Sequence, residues 1–163
     1  MGKVKKILFY NDSCVFGGHE IMSIRIANFL AKKSDYQINF LYYNNKIKSK
    51  LDAKVVAHYS SINDSTPFSF ILNLNFFKIN KIKNKIKLID PDIVVVCQGN
   101  IELCLKGLIA SKLLGIKTIS YLPFAYKFKE INKNLSFIRD KVNNFYYKLP
   151  DSFLTISNYQ KSL

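Results

Sequence analysis

Apolar and β-branched residues come in short unbroken runs along this chain, and between the runs they recur every three or four positions. The runs at 6–10, 37–43, 54–58, 92–97, 117–121 and 152–156 predict strands. The spaced stretches at 21–33, 70–89, 101–114 and 131–149 predict helices. Strands that are apolar at consecutive positions bury both faces, which requires helices on both sides of the sheet. Strand and helix in alternation then give an α/β fold, a Rossmann-like doubly wound parallel sheet forming a single domain. Gly115 stands where a helix ending at Leu114 needs a left-handed residue, and Pro91 and Pro150 follow helices that they cannot continue. The least defined stretch is 44–67, a short strand among polar residues.

Composition fits one such domain. A hydrophobic fraction of 48% in 163 residues fills a single core, and no Pro/Gly/Ser-rich linker divides the chain. Twenty-five Lys and Arg against eleven Asp and Glu leave a net charge of +14, which favours phosphorylated ligands, nucleic acid or anionic headgroups as partners. The chain is also rich in Lys, Asn and Ile and has no Trp, so part of that charge reflects composition bias. Nucleic acid is disfavoured, because there is no helix-turn-helix signature, aromatic RNP-like run or zinc spacing beside the basic charge.

Three cysteines, Cys14, Cys97 and Cys104, form an odd set without a CxxC pair. They argue against a disulfide framework or a zinc site and fit reduced cytosolic thiols; no metal or cofactor is expected. The basic start is followed by an apolar run that ends at Tyr10, too short for an export signal, and Lys6 stands where myristoylation needs Ser or Thr. With no run of about 18 apolar residues, the expectation is a cytoplasmic protein whose membrane contact is peripheral.

In open parallel sheets ligands bind beyond the carboxyl ends of the strands, here the segments 11–20, 98–102, 122–127 and 157–158. The first is the sharpest. Gly17 and Gly18 open a helix and permit close backbone approach, and free N–H groups at a helix start can cradle a phosphate. The spacing is not GxGxxG, and Asn44 and Asn45 stand where a dinucleotide site needs an acidic residue, so dinucleotide binding is disfavoured. Glu20 is favoured in a first helical turn by the macrodipole alone. His19 reads as a solvated loop residue and His58 as structural.

An N-terminal strand of Ile7, Leu8, Phe9 and Tyr10, then Gly17, Gly18, His19 and Glu20 opening a helix with Met22, Ile26 and Leu30, resembles the retaining GT-B glycosyltransferases of the glycogen-synthase-like group. The segments starting at Asp90, Leu114 and Asp151 are similar to later strands of that family, so the resemblance covers nearly the whole chain. It implies that residues 1–163 are the N-terminal, acceptor-side domain, with a C-terminal nucleotide-sugar domain absent. It implies that Gly17 and Gly18 face the donor diphosphate across an interdomain cleft. By the same resemblance the loops bearing His19, Glu20, Gln98, Asn100, Pro123, Phe124 and Ser157 meet the acceptor. Many members carry a His after the strand that matches Lys117–Tyr121, where this chain has Leu122, Pro123, Phe124, Ala125 and Tyr126, so no catalytic His transfers. The implied partners are a nucleotide-sugar donor and a glycan or lipid-linked acceptor. Holding both in near-attack geometry takes two halves, so the chain alone is expected to be inactive. The alternative is a non-catalytic binding subunit that pairs with a separate donor-binding chain.

Lys78, Lys81 and Lys85 share a helix with Ile79, Ile82, Ile86 and Ile89. The isoleucines are expected on the sheet, with the lysines solvated or facing an anionic membrane surface. Farther on, the spacing of Leu135, Ile138, Val142, Phe145 and Leu149 predicts burial, leaving Phe137 and Tyr147 as exposed aromatics.

Overall fold

The computed structural model describes residues 4–63, 75–131 and 134–156. Six strands form one sheet: β1 (Lys5–Asn11), β2 (Tyr36–Tyr42), β3 (Val56–Tyr59), β4 (Ile93–Cys97), β5 (Lys117–Tyr121) and β6 (Ser152–Leu154). Every pairing is parallel and the spatial order is β3-β2-β1-β4-β5-β6. Among the described residues five helices accompany it: α1 (Gly18–Ala31), the single turn α2 (Asn45–Lys48), α3 (Phe76–Ile89), α4 (Leu105–Leu113) and α5 (Ser136–Tyr146). A 3-10 turn spans Phe128–Ile131. This is the doubly wound α/β arrangement that the apolar runs predict.

Alternation along each strand feeds two cores. Ile7 and Phe9 join Ile38, Phe40 and Cys97 beneath Ile24 and Ala27 of α1. Leu8 and Tyr10 turn to the opposite face and meet Ile82 and Ile86 of α3, Leu105 and Leu108 of α4 and Tyr146 of α5. Both faces are covered, which is why these strands read as unbroken apolar runs. Phe9 and Phe40 stack across adjacent strands with centroids 5.7 Å apart.

The helix ends obey local chemistry. Glu20 accepts the Gly17 N–H at 2.8 Å and so closes the start of α1, and Asn75 accepts the Lys78 N–H at the start of α3. Asp90, at φ 53°, ends α3 just before Pro91, and Gly115, at φ 68°, follows α4.

Two helices begin later than their apolar spacing predicts. The Gln98 amide donates to the carbonyls of Ile101 and Leu103, and Cys104 is left-handed, so the ladder of α4 starts only at Leu105. Leu135 is likewise left-handed and α5 starts at Ser136. Positions 70–74 of the expected third helix lie outside the described residues.

The face of α5 is a correction. Leu135, Ile138 and Phe145 are exposed, whereas Asn143 and Tyr146 are buried and Val142 is half-buried. The helix is turned by a polar anchor: Arg139 and Asn143 both reach the Glu102 carboxylate. Tyr147, expected outside, packs against the core, while Phe137 is exposed as expected.

Candidate functional site

β1 and β4 are neighbours whose following helices lie on opposite faces, which leaves a crevice between the loops at their carboxyl ends. From β1, the Asn11 side chain accepts the Ser13 N–H at 3.0 Å and turns the chain towards Gly17, an extended residue at φ −147°. A Cβ at Gly18 would meet nothing within 4 Å, and one at Gly17 would meet only the Glu20 carboxylate at 3.7 Å. Packing therefore leaves the start of α1 open from above.

Glu20 itself is fully buried, with Oε1 2.6 Å from His19 Nε2. Burial pushes its carboxyl up, but contact with His19 and the Gly17 N–H outweighs this and holds it below the usual range. His19 lies against Gly99 of the β4 loop, where a Cβ would come within 2.9 Å of the imidazole. Any larger residue there would push His19 or Leu103 aside.

Beneath them, Asp12 is buried. It accepts the Tyr10 hydroxyl at 2.8 Å and lies 3.6 Å from the Lys106 ammonium, both side chains being nearly inaccessible. Gly107 admits the Tyr10 ring, to which an added Cβ would approach 2.1 Å. Gly99, Asp12, Lys106 and Gly107 were not singled out by sequence pattern. Charged residue types read as surface, and the glycines show their purpose only once the opposing ring is in place.

The other candidates are placed differently. Gln98 is buried, accepting the Ser120 hydroxyl on Oε1 while its amide holds the loop carbonyls. Asn100 accepts the Glu102 N–H at 3.0 Å and reaches the Tyr126 hydroxyl at 3.5 Å. Pro123 is buried, Phe124 is 54% exposed and Ser157 lies outside the described residues. Along α3, Lys81 is exposed, Lys78 is half-buried, and Lys85 donates to the Tyr59 carbonyl at 2.6 Å, so the three do not present one free basic face. His58 bonds Asn39 at 2.9 Å; burial and then Lys85 hold its pKa down, as its structural reading requires.

A second concavity opens where β5 and β6 end against α5. It encloses about 600 Å³, with Leu122, Tyr126, Tyr147 and Phe153 on its walls. Beside it Arg139 grips Glu102 through two nitrogens, at 3.0 and 2.5 Å, and stacks 3.8 Å from the Phe128 ring centroid. Asp140 caps the 3-10 turn by accepting the N–H groups of Phe128 and Lys129. Burial, followed by nearby Tyr126, raises the Tyr147 phenol to about 12. Among the described residues no cluster of three His, Cys, Asp or Glu is placed to hold a metal, and no helix is long and apolar enough to cross a membrane.

No protein-family model and no curated sequence matches the chain. Solved structures do. HepE of Anabaena in complex with UDP-glucose superposes at a TM-score of 0.66 and 16% identity, over 96% of this chain and 39% of its own. A UDP-N-acetylglucosamine 2-epimerase from Listeria monocytogenes gives 0.65 and 12%, over 99% and 42%. The lipopolysaccharide outer core galactosyltransferase WaaB gives 0.54 and 19%, over 96% and 41%. The fold is that of one Rossmann-like half of the GT-B architecture, and the chain spans between 39% and 51% of the length of the structures it matches.

Proposed function

We propose that this chain is the N-terminal, acceptor-side half of a glycosyltransferase that moves a hexose from a nucleotide-sugar donor to a glycan or lipid-linked acceptor. One observation carries the proposal: the similarity runs through nearly the whole chain, yet fills less than half of neighbours such as HepE, solved with UDP-glucose. In this reading the open start of α1 at Gly17 and Gly18 meets the donor diphosphate, whose developing charge suits the positive end of a helix. Glu20 and Gly99 fix His19 and the two loops around it, and the β5–β6 side orients the acceptor. A second half holds the donor, so that the two substrates meet in near-attack geometry. With a lipid-linked acceptor the protein works at a membrane surface, where exposed Lys81 adds weak attraction to anionic headgroups.

Calorimetric titration of the 163-residue chain with UDP, GDP and their hexoses tests the assignment of halves. The expected result is no saturable donor binding below millimolar concentration. Tight binding that is lost in Gly18→Val would place the donor site in this half and overturn the proposal. The variant reads ligand contact rather than folding, since the added side chain enters open space.

A second reading, a non-catalytic subunit that pairs with a donor-binding chain, draws on the exposure of Phe153, Leu154 and Ile156 at the outer strand. Co-expression with a donor-binding GT-B half separates the two readings. Labelled sugar reaching an acceptor supports the enzyme, and a stable complex without transfer supports the subunit.

A further inference from the structure

We infer that the cleft between the ends of β5 and β6 and helix α5 is a binding site for an uncharged saccharide, the sugar ring of the acceptor. The inference rests on the acceptor-side reading above and gives that acceptor a place and a chemistry. At about 600 Å³ the cleft is of the size that takes small molecules. Its lining is mainly aromatic and aliphatic: Tyr147 and Phe153 pack on each other as a tilted pair with centroids 6.1 Å apart, and Tyr126 and Leu122 complete the apolar surface. Polar groups interrupt that surface at Asn143, Asn144 and Thr155. A pyranose has this same division, a C–H face that lies on aromatic rings and a hydroxyl edge that needs amides and hydroxyls. A purely aliphatic tail would leave the exposed Asn144 amide desolvated.

Electrostatics sharpens the choice. The protein carries +14 overall, yet the charged groups lining this cleft are Lys127 against Glu130 and Asp140. One ammonium against two carboxylates gives the cleft no cationic cluster to hold a diphosphate, which favours a neutral ligand. Asn143 adds an independent sign. Its Nδ2 donates to the Glu102 carboxylate at 3.1 Å, which fixes the amide orientation because a carboxylate only accepts. Its Oδ1 is then left buried without a hydrogen-bond partner, an unused acceptor on a residue that lines the cleft. At its inner end the cleft adjoins the switch-point crevice, since Tyr126 contacts Asn100 of the β4 loop.

The test is saturation-transfer NMR on the 163-residue chain with methyl glycosides of glucose, galactose and N-acetylglucosamine, with UDP and phenol as contrasting probes. Asn144→Ala and Phe153→Ala alter the cleft at exposed positions, and circular dichroism checks that each remains folded. The expected result is transfer to at least one glycoside and none to UDP, with affinity at least about fivefold weaker in Phe153→Ala. No transfer to any glycoside, binding of phenol alone, or glycoside affinity unchanged in both folded variants would overturn the inference. The acceptor-side reading fails separately: tight nucleotide-sugar binding lost in Gly18→Val would refute it while leaving glycoside binding in the cleft intact.

Discussion

The two ends of the sheet's carboxyl edge are built in opposite ways. Around β1 and β4 the loops are tightly filled: Tyr10 lies on Gly107, His19 on Gly99, and the buried carboxylates each meet a partner, Asp12 the Lys106 ammonium and Glu20 the His19 ring. Around β5 and β6 the chain leaves a cleft of about 600 Å³ walled by ordinary aromatics, and α5 beside it exposes Phe137 and Phe145. The recognisable motif sits in the first region and the open volume in the second. Glycines that open a helix are visible in the sequence; a cavity arises where large side chains at element ends fail to meet, and that leaves no short signature.

The contrast breaks most sharply at the buried ion pair. Lys106→Ala leaves the Asp12 carboxylate inaccessible and without its cation, and should destabilise the protein by about 3–5 kcal/mol in urea unfolding. A loss below about 1 kcal/mol would mean that the crevice floor is wet, and the contrast with the second region would disappear. Next comes Gly107→Ala. The new methyl would lie 2.1 Å from a fully buried Tyr10 ring that cannot withdraw, because its hydroxyl is tied to Asp12. Overpacking of this kind costs about 3 kcal/mol, read as a lowered urea midpoint, despite alanine's better helix propensity. A thermal midpoint equal to that of the parent would show that α4 does not seat on β1 as described.

Much of the scaffold was legible in the sequence because parallel strands covered on both faces have to be apolar at successive positions. That constraint alone locates β1, β2, β4 and β5 to within a residue or two. Gly17 and Gly18 mark the start of α1, and Gly115, at φ 68°, marks the end of α4 because it takes the left-handed conformation that favours glycine. The late starts of α4 and α5 were not legible: Gln98 occupies loop carbonyls while Ser120, distant in sequence, holds its Oε1, and apolar spacing carries no sign of a left-handed Leu135. Burial of Asp12, Glu102 and Lys106 is hidden for the same reason, since each charge becomes tolerable only beside a partner that folding brings to it. The apolar spacing of α5 misleads because Arg139 and Asn143, by binding Glu102, set the helix rotation against it.

On the cleft side, pH offers a milder probe. Asp151, at the entry to β6, accepts the Thr118 N–H at 2.7 Å, the Thr118 hydroxyl at 2.9 Å and the Lys112 ammonium at 2.8 Å. Lys112 first, and then Thr118, lower its pKa from 3.8 to about 2. A depressed acid contributes stability that is fully present above its unfolded pKa and is lost as pH falls through its folded pKa. Asp151→Asn should therefore lower the thermal midpoint by a constant amount above about pH 5, and the difference from the parent should shrink progressively as pH falls from there to about pH 1. A difference that stays constant down to pH 2 would mean that the carboxylate does not anchor β6 to β5. The carboxylate is partly exposed, so this effect is smaller than either of the first two.

The smallest effect asks the most of the cleft side. Phe145 is 60% exposed, with only an edge contact to Tyr146, so Phe145→Ser should cost about 0.5 kcal/mol in urea unfolding. Helical spacing alone would set Phe145 in the core beside Leu135 and Ile138, and truncating a core phenylalanine costs about 3–5 kcal/mol. The two placements differ by a rotation of α5 about its axis, and that rotation cannot be made locally. Turning Phe145 inward carries Asn143 away from Glu102 and Asn144 away from the cleft wall. A near-neutral Phe145→Ser thus supports the rotation on which the saccharide site depends, whereas a loss of 2 kcal/mol or more, on the order of a core truncation, removes Asn143 and Asn144 from that site together.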